Sequence, residues 1–237
     1  MTFRAIFYDR HGQISPPTRA ISAADACHPL TSRPIPRAGS FRFQTKGPSS
    51  QTHSFGLPRV DSTMNQEEAM VYQVIRQCAQ SLRNLETCFD KAEQHAAAKN
   101  FPVSILMTSR LAPDQHHFIY QVQSACDYVK GAAAWLSSQT PPKHEDTEQT
   151  IGELRERIRK TIAFVDSVKE AQYAGASERK VSLSWAPGKV IGGFDYLLQM
   201  TIPNTYFHIT TAYAILRHNG VDVGKMDYLG SINLVDA

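Results

Sequence analysis

The sequence predicts an all-α protein, a four-helix bundle with a small β-hairpin between helices three and four. Three observations carry this. Four long segments place apolar residues at a period near 3.6, one short segment alternates apolar and serine residues, and Pro- and Gly-bearing stretches separate them. The composition, 42% hydrophobic and 20% charged, is that of a globular protein.

Helix one opens on a capping signal, Thr63-Met64-Asn65-Gln66, and draws a stripe through Val71, Val74, Ile75, Cys78, Leu82, Leu85, Phe89 and Ala92, ending near Asn100. A short helical turn is expected over residues 103–108. Pro113-Asp114 supplies the next start, with Asp114 as N-cap or first-turn acid. Helix two then buries Phe118, Val122, Ala125, Cys126, Val129, Ala132, Ala133 and Leu136, and "QTPPKHEDT" closes it because the two prolines force extended chain. Helix three is expected from Asp146 or Thr147 with Glu148 in its first turn. Its stripe is Ile151, Leu154, Ile158, Ile162, Val165 and Val168, and its "RERIRK" charges read as a solvated face. In "KVSLSWAPGKVIGG", Val181, Leu183 and Trp185 alternate with serines, and Pro187-Gly188 suits the centre of a type II turn. Helix four runs from Phe194 to His218 with Gly220 as its left-handed stop, and Pro203 predicts a kink.

Residues 1–63 read differently. They are crowded with Pro, Ser, Gly and Arg, show no apolar period, and carry a net +5 of the chain's +3, which leaves −2 on the body. We expect a disordered basic N-terminal extension (1–63) followed by the bundle domain (64–237). The extension's Arg- and Ser-rich, acid-poor character gives a mitochondrial address as the alternative to a cytoplasmic location. The faintly acidic body argues against nucleic acid as a partner, and no apolar run reaches the about 18–20 residues that a membrane span needs. The four cysteines contain no C-x-x-C pair, and Cys78 and Cys126 fall on apolar faces as reduced thiols.

One histidine stands out. At about 100° per residue, Phe194, Leu197, Thr201, Asn204, Ala212 and Ile215 share the face of His208, whereas Gln199, Thr210 and Arg217 lie opposite. Arg217 fixes the solvent side, so His208 points inward. Two readings stay open: a core imidazole bonded to Asn204, Thr211 or a group on another helix, and a working residue. As a catalytic group, His208 would suit proton transfer, since an ordinary imidazole titrates near about 6.5. Gln121, Asn204, Thr211 and Tyr128 are the candidate ligand-binding residues around it, and Tyr213 a further candidate to orient a substrate. The candidate metal set is His208, Asn204, Gln121 and His117, with Glu86 and Glu93 flanking the stripe of helix one. A second apolar stripe, Tyr206, Ile209, Tyr213 and Leu216, calls for a cover, either the hairpin or a second subunit, and so for a homodimer.

Three stretches, "LRNLETCFDKAEQHAAAKN", "RLAPDQHHFIYQVQSACDYVKGAAAWL" and "FHITTAYAILRHNGVDVGKMDYLG", together resemble a domain-of-unknown-function family grouped with the DinB/YfiT-like four-helix bundles, over about residues 70 to 230. The resemblance implies metal-dependent hydrolases or thiol-transferring enzymes, many of them dimers. It implies a divalent metal held by one histidine on helix two and an H-x-x-x-H pair on the last helix. Laid on this chain, the pair falls on Asn204 and His208, and the helix-two ligand near Gln121. Two amides and one imidazole make a better hydrogen-bonding pocket than a zinc or nickel site. The expected function is thus a small-molecule hydrolase or transferase with a degenerate metal or histidine-centred pocket. The alternative is a non-catalytic helical module that dimerises or binds a ligand.

Overall fold

In the computed structural model of the chain, residues 66–236 are described, and the expected extension and the Thr63 cap lie outside them. The long helices are α1 (Gln66–Ala98), α3 (Phe118–Leu136), α4 (Ile151–Ser167) and α6 (Ile202–His218), with a short α2 (Ser104–Thr108) between the first two. Both α1 and α3 pack against α4 and α6, so the chain-consecutive helices α1 and α3 sit across the bundle's diagonal. The four apolar stripes converge on one core. Every stripe residue of α3 and α4 predicted above is buried, and on α1 only Val74 is left partly exposed. Burial pushes the thiols of Cys78 and Cys88 up to about 11 and that of Cys126 up to about 12, so all three are inert, protonated core groups.

The hairpin is present. Strand β1 (Lys180–Ser182) pairs antiparallel with β2 (Val190–Gly192), Val181 opposite Ile191. The amide of Lys189 donates to the carbonyl of Ala186, and Gly188 adopts φ +76°, as the type II turn demands. Gly220 likewise stops α6 with φ +86°.

Four local expectations are corrected. Helix two starts at Phe118, not at Asp114: the Phe118 amide bonds the Ser109 carbonyl, which holds the preceding residues in turns, and His117 is the N-cap, accepting from the Tyr120 amide at 3.4 Å. Burial, aided by nearby Arg110 and His116, lowers the pKa of His117 and so keeps its Nδ1 available as an acceptor. Helix three starts at Ile151, not at Asp146, because Thr150 and Glu153 form a reciprocal capping box there. The "RERIRK" face is not wholly solvated: Arg157 is 2% exposed. The expected kink at Pro203 takes the form of a wide turn. Helix α5 (Gly193–Asp195) runs into a π-helical segment, Tyr196–Thr201, and Pro203 enters α6 at its first turn. Proline lacks the N–H that would close an α-turn on Gln199, and an extra residue in the turn absorbs the loss.

That extra residue slips the helix phase by about 100° upstream of α6. Tyr196 thereby joins the buried face, 2% exposed, beside the predicted Leu197 and Thr201. The second apolar stripe also finds its cover within the chain. Tyr206 reaches Gln77 and Ser81 of α1, and Tyr213 meets Tyr228 of a C-terminal helix, α7 (Lys225–Leu229). Asn84 of α1 clamps α7 through the carbonyls of Tyr228 and Leu229, and Lys91 pairs with Asp227 at 2.7 Å.

Candidate functional site

His208 sits where α6 lies along α3, buried to 8% exposure. The three elements that shape its surroundings are the first turns of α3, the residues before them, and α6 itself. The imidazole Nδ1 lies 2.8 Å from Oε1 of Gln121. The other half of that amide, Nε2, donates to the carbonyl of His116 at 2.8 Å. A carbonyl accepts only, so the amide's nitrogen must face His116 and its oxygen must face His208. An amide oxygen also accepts only, so Nδ1 must carry the proton. The backbone at His116 therefore dictates the tautomer of a ring 92 positions further on. In the neutral ring, Nε2 holds the lone pair.

Aromatic rings fill the rest of the shell. Tyr128 stacks on the imidazole with centroids 5.7 Å apart, and Tyr120 and Phe207 meet it edge-on at 6.2 and 5.2 Å. Tyr120 is itself stacked on His116 at 3.7 Å, one α3 residue away from the Gln121 that bonds the same His116 through its carbonyl. Gln121 and Tyr128 are seven residues apart, so one face of α3 presents both.

The predicted residues thus divide. The structure brings His208, Gln121 and Tyr128 together. Asn204 is turned elsewhere: its Nδ2 donates to the carbonyl of Met200 at 2.7 Å, serving backbone at the end of the wide turn. Thr211 is buried a turn further along α6. His117 caps α3, Tyr213 donates to the carbonyl of Val223, and Glu93 pairs with Arg155 of α4 at 2.9 Å while Glu86 faces Arg159 at 3.7 Å. Tyr120, His116 and Phe207 were not singled out in the sequence. The signal available for them was the aromatic and imidazole density of "HHFIYQ" and "YFH".

The resemblance implies a divalent metal, and the donors here do not fit one. At the three positions where the resemblance places ligands, this chain offers the His208 imidazole and the carboxamides of Gln121 and Asn204, with no carboxylate or thiolate to balance a dication. One amide oxygen is engaged by the imidazole N–H, and the other amide donates to backbone. Among the described residues no three His, Cys, Asp or Glu gather in a way that could hold a metal ion. Nor is any described helix long and apolar enough to cross a membrane.

Comparison with known proteins agrees with the architecture. A crystal structure of a DinB family member protein from Shewanella denitrificans superposes with a TM-score of 0.70 at 44% identity, covering 72% of this chain and 97% of that one. No curated protein matches. The family model described as a domain of unknown function, DUF1993, matches residues 70–229. The chain, a DinB-like helical bundle with a late hairpin, belongs to that family.

Proposed function

We propose that this bundle is a small-molecule hydrolase or transferase in which His208 works as a proton acceptor through Nε2, held by Gln121 rather than by a metal. One observation supports the reading above the others: the relay from the His116 carbonyl through the Gln121 amide to Nδ1, each bond 2.8 Å. A general base needs one nitrogen free of its proton and a ring that does not turn, and a donor-fixed Nδ1–H supplies both. Tyr128 and Tyr120 limit ring rotation from the faces they pack against.

The test begins without a substrate. Nitrogen-15 spectra at neutral pH should show His208 protonated at Nδ1, and Gln121→Ala should erase that single-tautomer signature while lowering stability by about 1–3 kcal/mol, since it strands a buried N–H and a carbonyl. Chelator-treated wild type is then run beside His208→Gln on activated esters, thioesters and amides. We expect turnover that survives chelation and falls by about 10²–10⁴-fold in the variant. Turnover that requires added zinc, nickel or manganese would sink the metal-free reading.

The homodimer is a second reading, carried by Phe207 of α6 and Leu198 of the π-helical segment, which remain 54% and 43% exposed after α1 and α7 have covered the neighbouring stripe. Sedimentation velocity decides it. A strict monomer at high protein concentration removes it.

A further inference from the structure

The segment between α3 and α4, residues 139–150, has no helix or strand of its own, yet it lies over a buried cation. Arg157 of α4 reaches it three times, at the carbonyl of Glu145 (3.2 Å), Asp146 (3.0 Å) and Glu148 (2.9 Å), while its other nitrogen pairs with Asp127 of α3 at 2.8 Å. Gln123 of α3 donates to the second oxygen of Glu148 at 2.8 Å. A cleft of about 590 Å³ runs along this seam, lined by His144, Glu148, Arg157 and their neighbours. It does not read as a ligand site, because its charges are already matched. Lys143 pairs with Glu145 at 2.6 Å, Lys160 faces Glu156 at 3.7 Å, and Glu153 caps its own helix. Two nitrogens in the seam are shut away from water without a hydrogen-bond partner, Nε of Arg157 and Nδ1 of His144, and of the two only the imidazole can change its charge near neutral pH.

We infer that residues 139–150 form an acid-released strap, with Arg157 as its peg and His144 as its trigger. Charge around the ring sets the direction. Lys130 of α3 and Arg157 and Lys160 of α4 oppose a proton on His144 and Asp127 of α3 favours it, while Glu145, Asp146 and Glu148 of the strap are engaged by Lys143 and Arg157. Burial first, and those cations second, press its pKa below the ordinary 6.5. A detached strap puts the ring in water, where it binds a proton at the ordinary value, so protonation favours detachment. His144's share of the strap's hold is complete above about pH 6.5 and is lost as pH falls toward the lowered value. Glu148 does not lead the release. Burial acts to raise its pKa, but hydrogen bonds from Arg157 and Gln123 outweigh burial and hold it below 4.5, so its contribution fades only in stronger acid.

The test uses the full chain and a protease that cuts after glutamate and works from pH 4 to 8. Cleavage after Glu145 and Glu148 is measured at pH 7.5 and 5.0, each rate divided by that of a free peptide spanning residues 137–152. With one histidine as trigger, relative cleavage should rise about severalfold at pH 5.0, with Glu86 and Glu93 of α1 uncut. His144→Gln, which cannot take up the proton, should flatten the rise while circular dichroism stays that of wild type. The inference is overturned by a rate that does not change with pH, by cuts after Glu86 and Glu93 of α1 that appear together with those in the strap, or by a variant that keeps the wild-type response.

Discussion

Arg157→Met should lower the unfolding free energy by about 3 kcal/mol, near the bottom of the range for removing one partner from a buried ion pair. The Arg157 side chain is 1% exposed, and its guanidinium engages three carboxylates and a carbonyl from two separate elements. Methionine fills much of the volume, but it leaves those acceptors facing one another without the guanidinium, Lys130 pairing only with Asp127 among them at 3.0 Å. The cost stays at the lower end because Asp127 and Asp146 are 35% and 38% exposed and recover water, whereas Glu148, at 11%, does not. Arg157→Lys should recover little, since an ammonium cannot span the fork of acceptors on both sides of α4. Urea unfolding at pH 7.5 reads both. A methionine variant as stable as the wild type would show that the carboxylates, not the arginine, organise this corner.

Gly193→Ala should cost as much or more. A β-carbon built there would stand 1.9 Å from the carbonyl oxygen of Ala176 and 3.0 Å from Leu136. No rotamer relieves a clash with backbone, so either the stretch 173–177 or the start of α5 must move. The Phe194 amide, which donates to the Ser177 carbonyl at 3.4 Å, moves with it. We expect a loss of about 3 kcal/mol, the upper part of the range for overpacking. Chemical-shift changes should concentrate in the hairpin and residues 173–177. A variant within about 0.5 kcal/mol of wild type, the usual scatter of surface changes, would contradict the close approach.

These two residues also mark where the sequence could and could not be read. Apolar stripes are local and periodic, so the helices and their buried faces were legible. Arg157 stands three residues after Leu154 and one before Ile158, hence at the edge of the stripe, and in hindsight its inward direction was available. What was not available was its set of partners, which lie 9 to 30 residues away. A charge among Arg155, Arg159 and Lys160 looks solvated until a loop closes over it. The direction of His208 was legible from Arg217 on the opposite face, and Gln121 was among its candidate companions, but only packing chooses between Gln121 and Asn204. Pro203 located the irregular turn without revealing its type. Asp114 lost to His117 because cap preference is weaker than the Phe118–Ser109 backbone bond that decides where coil ends.

The wide turn before Pro203 also determines which length change the run from Tyr196 through α6 can absorb. Leu197 and Thr201 are fully buried, and Leu198 and Gln199 between them are exposed. Excising Gln199 would leave the two buried positions three apart instead of four, still on one side of a regular spiral. The imidazole downstream would keep its aim, and its Nδ1 proton resonance should be unaltered. A one-residue gap within α6 would instead swing every later side chain by about a quarter-turn.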